Sequence, residues 1–176
     1  MRRRVGEDVV MGLDLSLTGS AVAVLPGNWD ATNPWAGVTF HRFTEEGKLA
    51  GLCRQAAIVR GIWQLAVRTG VKRAYVEQYA FSYVANSITV IAEMVGSVKL
   101  ELWTSLGIEV VPVVASSARK TLLGPLPKMS RKEVKAHLKH AFAEMGAPEL
   151  DEDQRDAFVI ANRGRHDLGL PCLSCG

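Results

Sequence analysis

Residues 9–25, VVMGLDLSLTGSAVAVL, decide how this chain is read. They describe two strands joined by a Thr18-Gly19-Ser20 turn. The first strand is apolar on both faces, Val9, Met11 and Leu13 against Val10 and Gly12, as a strand at the centre of a sheet is. Asp14 breaks that pattern. A carboxylate on a central strand loses hydration unless it is paired or holds a cation. Either Asp14 ends the strand and hydrogen-bonds the turn, or it is a metal ligand carried on the most rigid element available. This stretch alone leaves both readings open.

Working outward, the turn-rich PGNWDATNPW leads to a third strand, Gly37 to Phe43, and three strands on short connections predict an antiparallel meander. From Glu45 the period becomes helical, with Leu52, Ala56, Val59, Trp63 and Ala66 on the expected inward stripe and Gly70 as the stop. Val71 to Gln78 reads as a strand that again ends on a carboxylate, Glu77. A second long helix from Ser87 carries Ile88, Ile91, Val95, Val98 and Leu102. Gly96 inside it costs ~1 kcal/mol relative to Ala, which predicts close approach of another backbone. Gly107 ends that helix. Ile108 to Val114 is continuously apolar and reads as a buried parallel strand. Ser116 or Ser117 is expected to cap a short helix through Leu123. After the proline-held loop GPLPKMS, Ser130 and Glu133 form a capping box for a helix Arg131 to Met145. The last helix begins near Asp151 and carries Asp153, Asp156, Ile160 and Arg163 on one face. The expected fold class is α/β, a mixed five-stranded sheet with helices on both faces. Residues 1–176 are read as one domain with a flexible tail from about residue 166.

Composition sets the outer bounds. The 176 residues are 48% hydrophobic and 22% charged, ordinary for a folded chain. Net charge is only +3, but its distribution is uneven. Between Ala115 and His140 lie seven Lys/Arg and one acid, whereas Glu149 to Asp156 is mostly acidic. Three cysteines, Cys53, Cys172 and Cys175, do not make a disulfide framework, and the terminal CLSC is read as part of an unstructured tail. No apolar run approaches the ~20 residues that span a membrane. Glu7, Asp8 and Asp14 exclude a signal peptide after Arg2–Arg4. The expected location is therefore the cytoplasm, with no membrane partner.

The decisive constellation is acidic. Asp14 and Glu77 lie at strand ends, and Asp153 and Asp156 lie one turn apart on a helix, facing the same way. An acidic first turn is common by itself, because the helix dipole favours it. Carboxylates gathered from separate segments are different, since they repel one another unless cations neutralise them. Oxygen-only donor sets favour Mg²⁺ or Mn²⁺ over zinc.

From about Val9 to Asn162 the chain resembles the RuvC-type Holliday junction resolvases, within the RNase H-like nuclease fold. The residues that carry the likeness are GLDLSLTG around Asp14, YVEQ around Glu77, ARKTLLG from Ala118, and DEDQRDAFVIA around Asp153 and Asp156. The resemblance implies a homodimeric endonuclease that nicks four-way DNA junctions in symmetrical pairs, leaving 5′-phosphates. It makes Asp14, Glu77, Asp153 and Asp156 the catalytic, metal-binding carboxylates, with two Mg²⁺ or Mn²⁺ ions per active site ~4 Å apart. Arg119 and the Arg131-Lys132 pair match basic positions near the scissile phosphate. Together with Lys120 and Lys128 they are expected to follow the DNA backbone without reading sequence. Lys135 and Lys139 read as a solvated face, and His137 and His140 as surface or packing residues. Leu15-Ser16 stands where the family usually has Pro-Gly. The family's junction-probing aromatic falls on Ala80, between Tyr79 and Phe81, either of which is a candidate to stack on an exposed base. Short divergent members of this kind occur in phages.

Two other readings remain open on the sequence, and a third is set aside. A broader branched-DNA or flap nuclease would carry the same acids. A non-catalytic junction-binding protein on the same scaffold would bind equally with or without Mg²⁺. A sugar-kinase or actin-like ATPase shares the first hairpin but needs a duplicated domain, for which this chain is too short.

Overall fold

A computed structural model describes residues 8–16, 19–44, 51–78 and 85–174. Its sheet has five strands: β1 (Val10–Asp14), β2 (Ser20–Leu25), β3 (Thr39–Phe43), β4 (Arg73–Glu77) and β5 (Val110–Val113). Their spatial order is β3-β2-β1-β4-β5. The first three form the antiparallel meander, and β4 and β5 add in parallel on the other side of β1. β1 is thus the middle strand, as its two-faced apolar pattern requires. Five helices follow: α1 (Gly51–Thr69), α2 (Ala85–Leu106), α3 (Ala115–Leu123), α4 (Arg131–Glu144) and α5 (Glu152–Asp167).

Strand parity divides the core in two. Met11, Leu13, Val22, Val24, Ala74 and Val76 pack with α1 and α2. Val10, Ala21, Ala23, Leu25 and Tyr75 pack with α3, α4 and α5. Because side chains alternate along a strand, Asp14 falls on the same face as Val10, and Glu77 on the same face as Tyr75. Both strand-end acids therefore point to the side that α5 covers.

That helix lies directly on β1. A Cβ built on Gly12 would stand 2.1 Å from the Ala157 carbonyl oxygen and 2.5 Å from the Ala161 amide nitrogen. Only glycine allows two backbones this close. Farther along α5, a Cβ on Gly164 would reach the Tyr75 ring at 2.3 Å. The same helix carries a fully buried arginine, Arg165. Its Nε donates to the Pro171 carbonyl (2.8 Å) and its Nη1 to the Pro26 carbonyl (3.0 Å). The guanidinium lies over the Trp29 ring at 5.1 Å.

Several expectations are corrected. The buried stripe of α1 is Gln55, Ile58, Ile62, Leu65 and Ala66, not the one from Leu52 through Trp63. Leu52 is 77% exposed. The helix is apolar on two sides, so a 3.6-residue period fits either, and the sheet takes the second. β5 is an edge strand rather than an interior one, and Pro112, which has no N–H to donate, suits that place. The α3 N-cap is Val114 with no side-chain bond, so neither Ser116 nor Ser117 caps it. Among the described residues of this one chain, a Cβ on Gly96 would meet nothing within 4 Å, so the fold of the single chain supplies no close backbone there. The tail is docked through Leu173, not free. Asn162 receives a hydrogen bond from the Leu173 amide (2.8 Å) and donates to its carbonyl (3.0 Å), and Leu170 is buried. The Trp-containing connection between β2 and β3 is also more than a turn. Trp29 is buried against Phe158, and the Trp35 indole donates to the Met145 carbonyl at the end of α4 (2.6 Å).

Gly12→Ala is the mutation to which this packing is most sensitive. Its methyl group can be accommodated only by lifting α5 off β1, an overpacking cost of about 2–3 kcal/mol. Thermal melting followed by circular dichroism should show a midpoint lower by about 5–10 °C.

Candidate active site at the carboxyl end of the sheet

Three elements, β1, β4 and α5, carry the four sequence-predicted acids to one end of the sheet, and α3 and β3 bring their arginine partners. In the parallel β1–β4 ladder Leu13 pairs with Val76, so Asp14 and Glu77 are the next positions along, at the carboxyl ends of adjacent strands. α5 starts above them. Asp151 is its N-cap, accepting from the Gln154 amide (2.8 Å) while the Gln154 side chain accepts from the Asp151 amide (3.1 Å). This second capping box went unnoticed in the sequence because it is built from Asp and Gln rather than Ser and Glu. It fixes the start of the helix that carries Asp153 and Asp156.

The charges there are out of balance. Burial, followed by the nearby charges of Glu77, Asp156 and Asp153, pushes the Asp14 carboxyl up to about 8, against a smaller opposing pull from Arg119. Glu77 is also raised, first by burial and then by Asp156, while Arg119, Arg131 and Lys135 draw it down. Asp153 is raised by burial, with Arg42 opposing. Asp14 thus feels the charge of all three other acids, and Glu77 that of Asp156.

Two of them are held by arginines. Arg119 on α3 donates through Nη2 to both oxygens of Asp156, at 3.1 and 3.2 Å, with side-chain exposures of only 19% and 13%. Arg42 on β3 pairs with Asp151 through one nitrogen and with Asp153 through the other, the latter at 3.2 Å. Arg42 has no signature in the sequence. It is separated from its partners by more than a hundred residues, and alternation on a half-exposed edge strand assigns it no task. Lys135, expected on a solvated face, instead pairs with Glu152, and its charge reaches Glu77.

The remaining predicted residues spread around this centre. Arg119 lines a shallow depression with Glu77, Ala115, Ala118 and Asp156. Arg131 opens α4 and is exposed, as are Lys132 and Lys128. Lys120 is turned away from the acids and lines a separate cleft with Ser117, Thr121, Arg163, His166 and Cys172. Tyr79 and Phe81 lie outside the described residues, as do Tyr83 and Cys175.

The donor set fits a hard divalent cation in kind: four carboxylates, only oxygen atoms, and buried negative charge without enough cations to match it. Among the described residues no three acidic, histidine or cysteine side chains are grouped closely enough to hold a metal ion as they stand. Asp153 and Asp156 are turned to their arginines instead.

With the geometry described, the chain can be compared with known proteins. No protein-family model and no curated protein matches it. Solved structures do. RuvC from Thermus thermophilus in complex with a Holliday junction substrate superposes with a TM-score of 0.68 at 15% identity, over 92% of this chain and 96% of that one. The fowlpox virus resolvase with its Holliday junction DNA gives 0.57 at 11% identity, over 91% and 98%. The yeast mitochondrial Holliday junction resolvase Ydc2 gives 0.53 at 12% identity, over 88% and 76%. At such identities the shared property is the fold, an RNase H-like mixed sheet with helices on both faces. Among the described residues, no helix is long and apolar enough to cross a membrane.

The excess negative charge has a measurable cost. A carboxyl raised from 3.8 to about 8 on folding binds its proton more tightly in the folded than in the unfolded chain, so stability falls as pH rises through that interval. Asp14→Asn removes the effect. Without divalent cations at pH 8, the variant should melt about 5 °C above wild type, and the gap should close toward pH 4. Differential scanning calorimetry across that pH range checks both the size and the sign.

Proposed function

We propose that this chain is a divalent-metal-dependent, structure-selective endonuclease that resolves four-way DNA junctions by paired symmetrical nicks leaving 5′-phosphates. The observation that carries the reading is the placement of Asp14 and Glu77 at the carboxyl ends of adjacent parallel strands, with Asp156 and Arg119 lining the same depression as Glu77. Two of the fold neighbours are described as complexes with Holliday junctions, which supports the substrate class.

In this reading the four carboxylates would hold Mg²⁺ or Mn²⁺, two ions per site. Bound there, such ions supply Lewis-acid polarisation of a phosphate and a lowered pKa for water. The chain's own contribution is placement. Asp14 and Glu77 are carried on rigid adjacent strands, and the capped first turns of α5 bring Asp153 and Asp156 against them. Arg119 stands beside Asp156 and Glu77, the basic side chain nearest to where a scissile phosphate would lie in this reading. Arg131, Lys132 and Lys128 lie at the exposed rim, suited to backbone phosphates and not to base edges. Lys120, turned away from the acids, would touch only DNA that continues past α3.

A second reading, a junction-binding protein that does not cut, has one observation in its favour. Asp153 and Asp156 are already neutralised by Arg42 and Arg119. A single experiment separates the two and also addresses the broader flap-nuclease reading. Purified full-length protein is incubated with labelled four-way junction, flap, duplex and single strand, in Mg²⁺ or in EDTA. The expected result is nicking of the junction in Mg²⁺ alone. Asp14→Asn should still bind the junction but cut it at least 100-fold more slowly, a loss of about 3 kcal/mol in barrier lowering. Undiminished nicking by that variant would remove Asp14 from the site, and faster cutting of flaps than of junctions would favour the broader nuclease.

Paired incision needs two sites on one junction, so the reading includes a homodimer. The outer faces of α1 and α2 are the surface best suited to it. Leu100 and Trp103 are 65% and 60% exposed, Leu52 and Val67 are also exposed, and a cleft of about 540 Å³ opens beside Trp63 and Glu101. The buried indole nitrogen of Trp63 has no acceptor among the described residues. Exposed apolar area of this kind marks an interaction site more often than a solvated face. Trp103→Glu should convert a dimer seen by light scattering at micromolar concentration into a monomer, and paired nicks into single ones. A wild-type monomer that still makes paired nicks would overturn the dimer.

A further inference from the structure

Arg42 holds an unusual position for an edge-strand residue. Its guanidinium packs over Gly19 in the β1–β2 turn, where an added Cβ would approach Nη2 to 3.1 Å. From there one nitrogen reaches Asp151 and the other reaches Asp153 Oδ2 at 3.2 Å. On the opposite side Arg119 spans both oxygens of Asp156. Each of the two α5 acids therefore has a guanidinium where a shared cation would otherwise neutralise it. A divalent ion that takes Asp153 Oδ2 competes with Arg42 for that oxygen.

That exchange has a low cost. The Arg42 pairs are half-exposed, and exposed ion pairs contribute little. Once Asp153 is engaged elsewhere, Arg42 keeps only Asp151, whose Oδ1 is committed to capping α5. The guanidinium then stays beside Gly19 and the start of α5 with N–H donors to spare, in the planar fork that matches a phosphate.

We propose that Arg42 is a placeholder for the divalent cation at Asp153, and that displacement by the cation turns it into a clamp for a DNA backbone phosphate. The inference rests on the nuclease reading and adds a positioning residue that links its two ligands. Because coupling of this kind is reciprocal, metal tightens DNA binding and DNA tightens metal binding.

The test uses the full chain with Arg42→Gln and Arg42→Lys, and melting temperatures establish that α5 remains docked. In a calorimetric titration with Mn²⁺ alone, Arg42→Gln should bind about threefold tighter than wild type or better, because the competitor is gone. Arg42→Lys, able to hold only one carboxylate at a time, should fall between them. Binding to a labelled four-way junction is then measured against salt concentration, in Ca²⁺ and in EDTA. In Ca²⁺ the wild-type slope should exceed that of Arg42→Gln by about 0.9, the value of one phosphate contact. In EDTA the two slopes should coincide, and Arg42→Lys should recover the Ca²⁺ slope. A residue that merely ties α5 to β3 would lower the melting temperature while leaving Mn²⁺ affinity and the slope difference untouched, which would overturn the proposal. Wild-type protein that cuts junctions but shows no Mn²⁺ tightening in Arg42→Gln would overturn the placeholder and leave the nuclease reading standing. Wild-type protein that binds no junction in either condition would overturn the nuclease reading and the clamp with it.

Discussion

The contact on which this structure depends is the one between two backbones, β1 at Gly12 and α5 at Ala157 and Ala161. A helix normally stands off a sheet by the length of the side chains between them. Here there is no side chain at Gly12, and only methyl groups on the helix side, so α5 comes down until its own main chain meets the strand. Two residues after Gly12 stands Asp14, and one residue before Ala157 stands Asp156. The close approach is thus what makes acids from opposite ends of the sequence neighbours. With a larger residue at position 12, the helix and its carboxylates would be lifted away from the strand ends.

Bringing those acids together costs stability, and the molecule offsets part of it. The first turn of α5 presents its unpaired amides toward the acidic end, a favourable location for Asp153. Arg119 and Arg42 supply positive charge from α3 and β3. At Asp14 the pull of Arg119 offsets only part of the rise, and the carboxyl is still pushed up to about 8. Such an arrangement is difficult to account for as a stabilising feature, and strain of this kind collects where function requires it.

The end of the domain away from the acids is organised differently. Arg165 is completely buried among carbonyl oxygens and the face of Trp29, so it ties the C-terminal tail and the β2–β3 connection to the same helix. Trp35 adds a tie to the end of α4. α5 is consequently held along its whole length: by caps and salt bridges at the acidic end, by backbone contact with β1 in the middle, and by Arg165 and Asn162 at its close. A helix anchored in this way can keep Asp153 and Asp156 in position against their mutual repulsion.

What the sequence determined by itself is confined to features with an unambiguous local period or local partner. The two-faced apolar run of β1 announced a central strand, and alternation from Val10 to Asp14 and from Tyr75 to Glu77 put both strand-end acids on one face. Ser130 and Glu133 announced the start of α4 because a capping box closes within four residues. Tertiary structure alone decided which of two apolar faces of α1 is buried, since both satisfy a helical period and only the sheet chooses. It decided that the tail docks, because Asn162 and Arg165 look like ordinary polar positions until the chain turns back across them. It also decided that Arg42 meets Asp151 and Asp153 and that Arg119 meets Asp156. Pairings across many intervening residues impose no pattern on the residues nearby, and they exist only once the sheet has brought β3, α3 and the start of α5 to the same end.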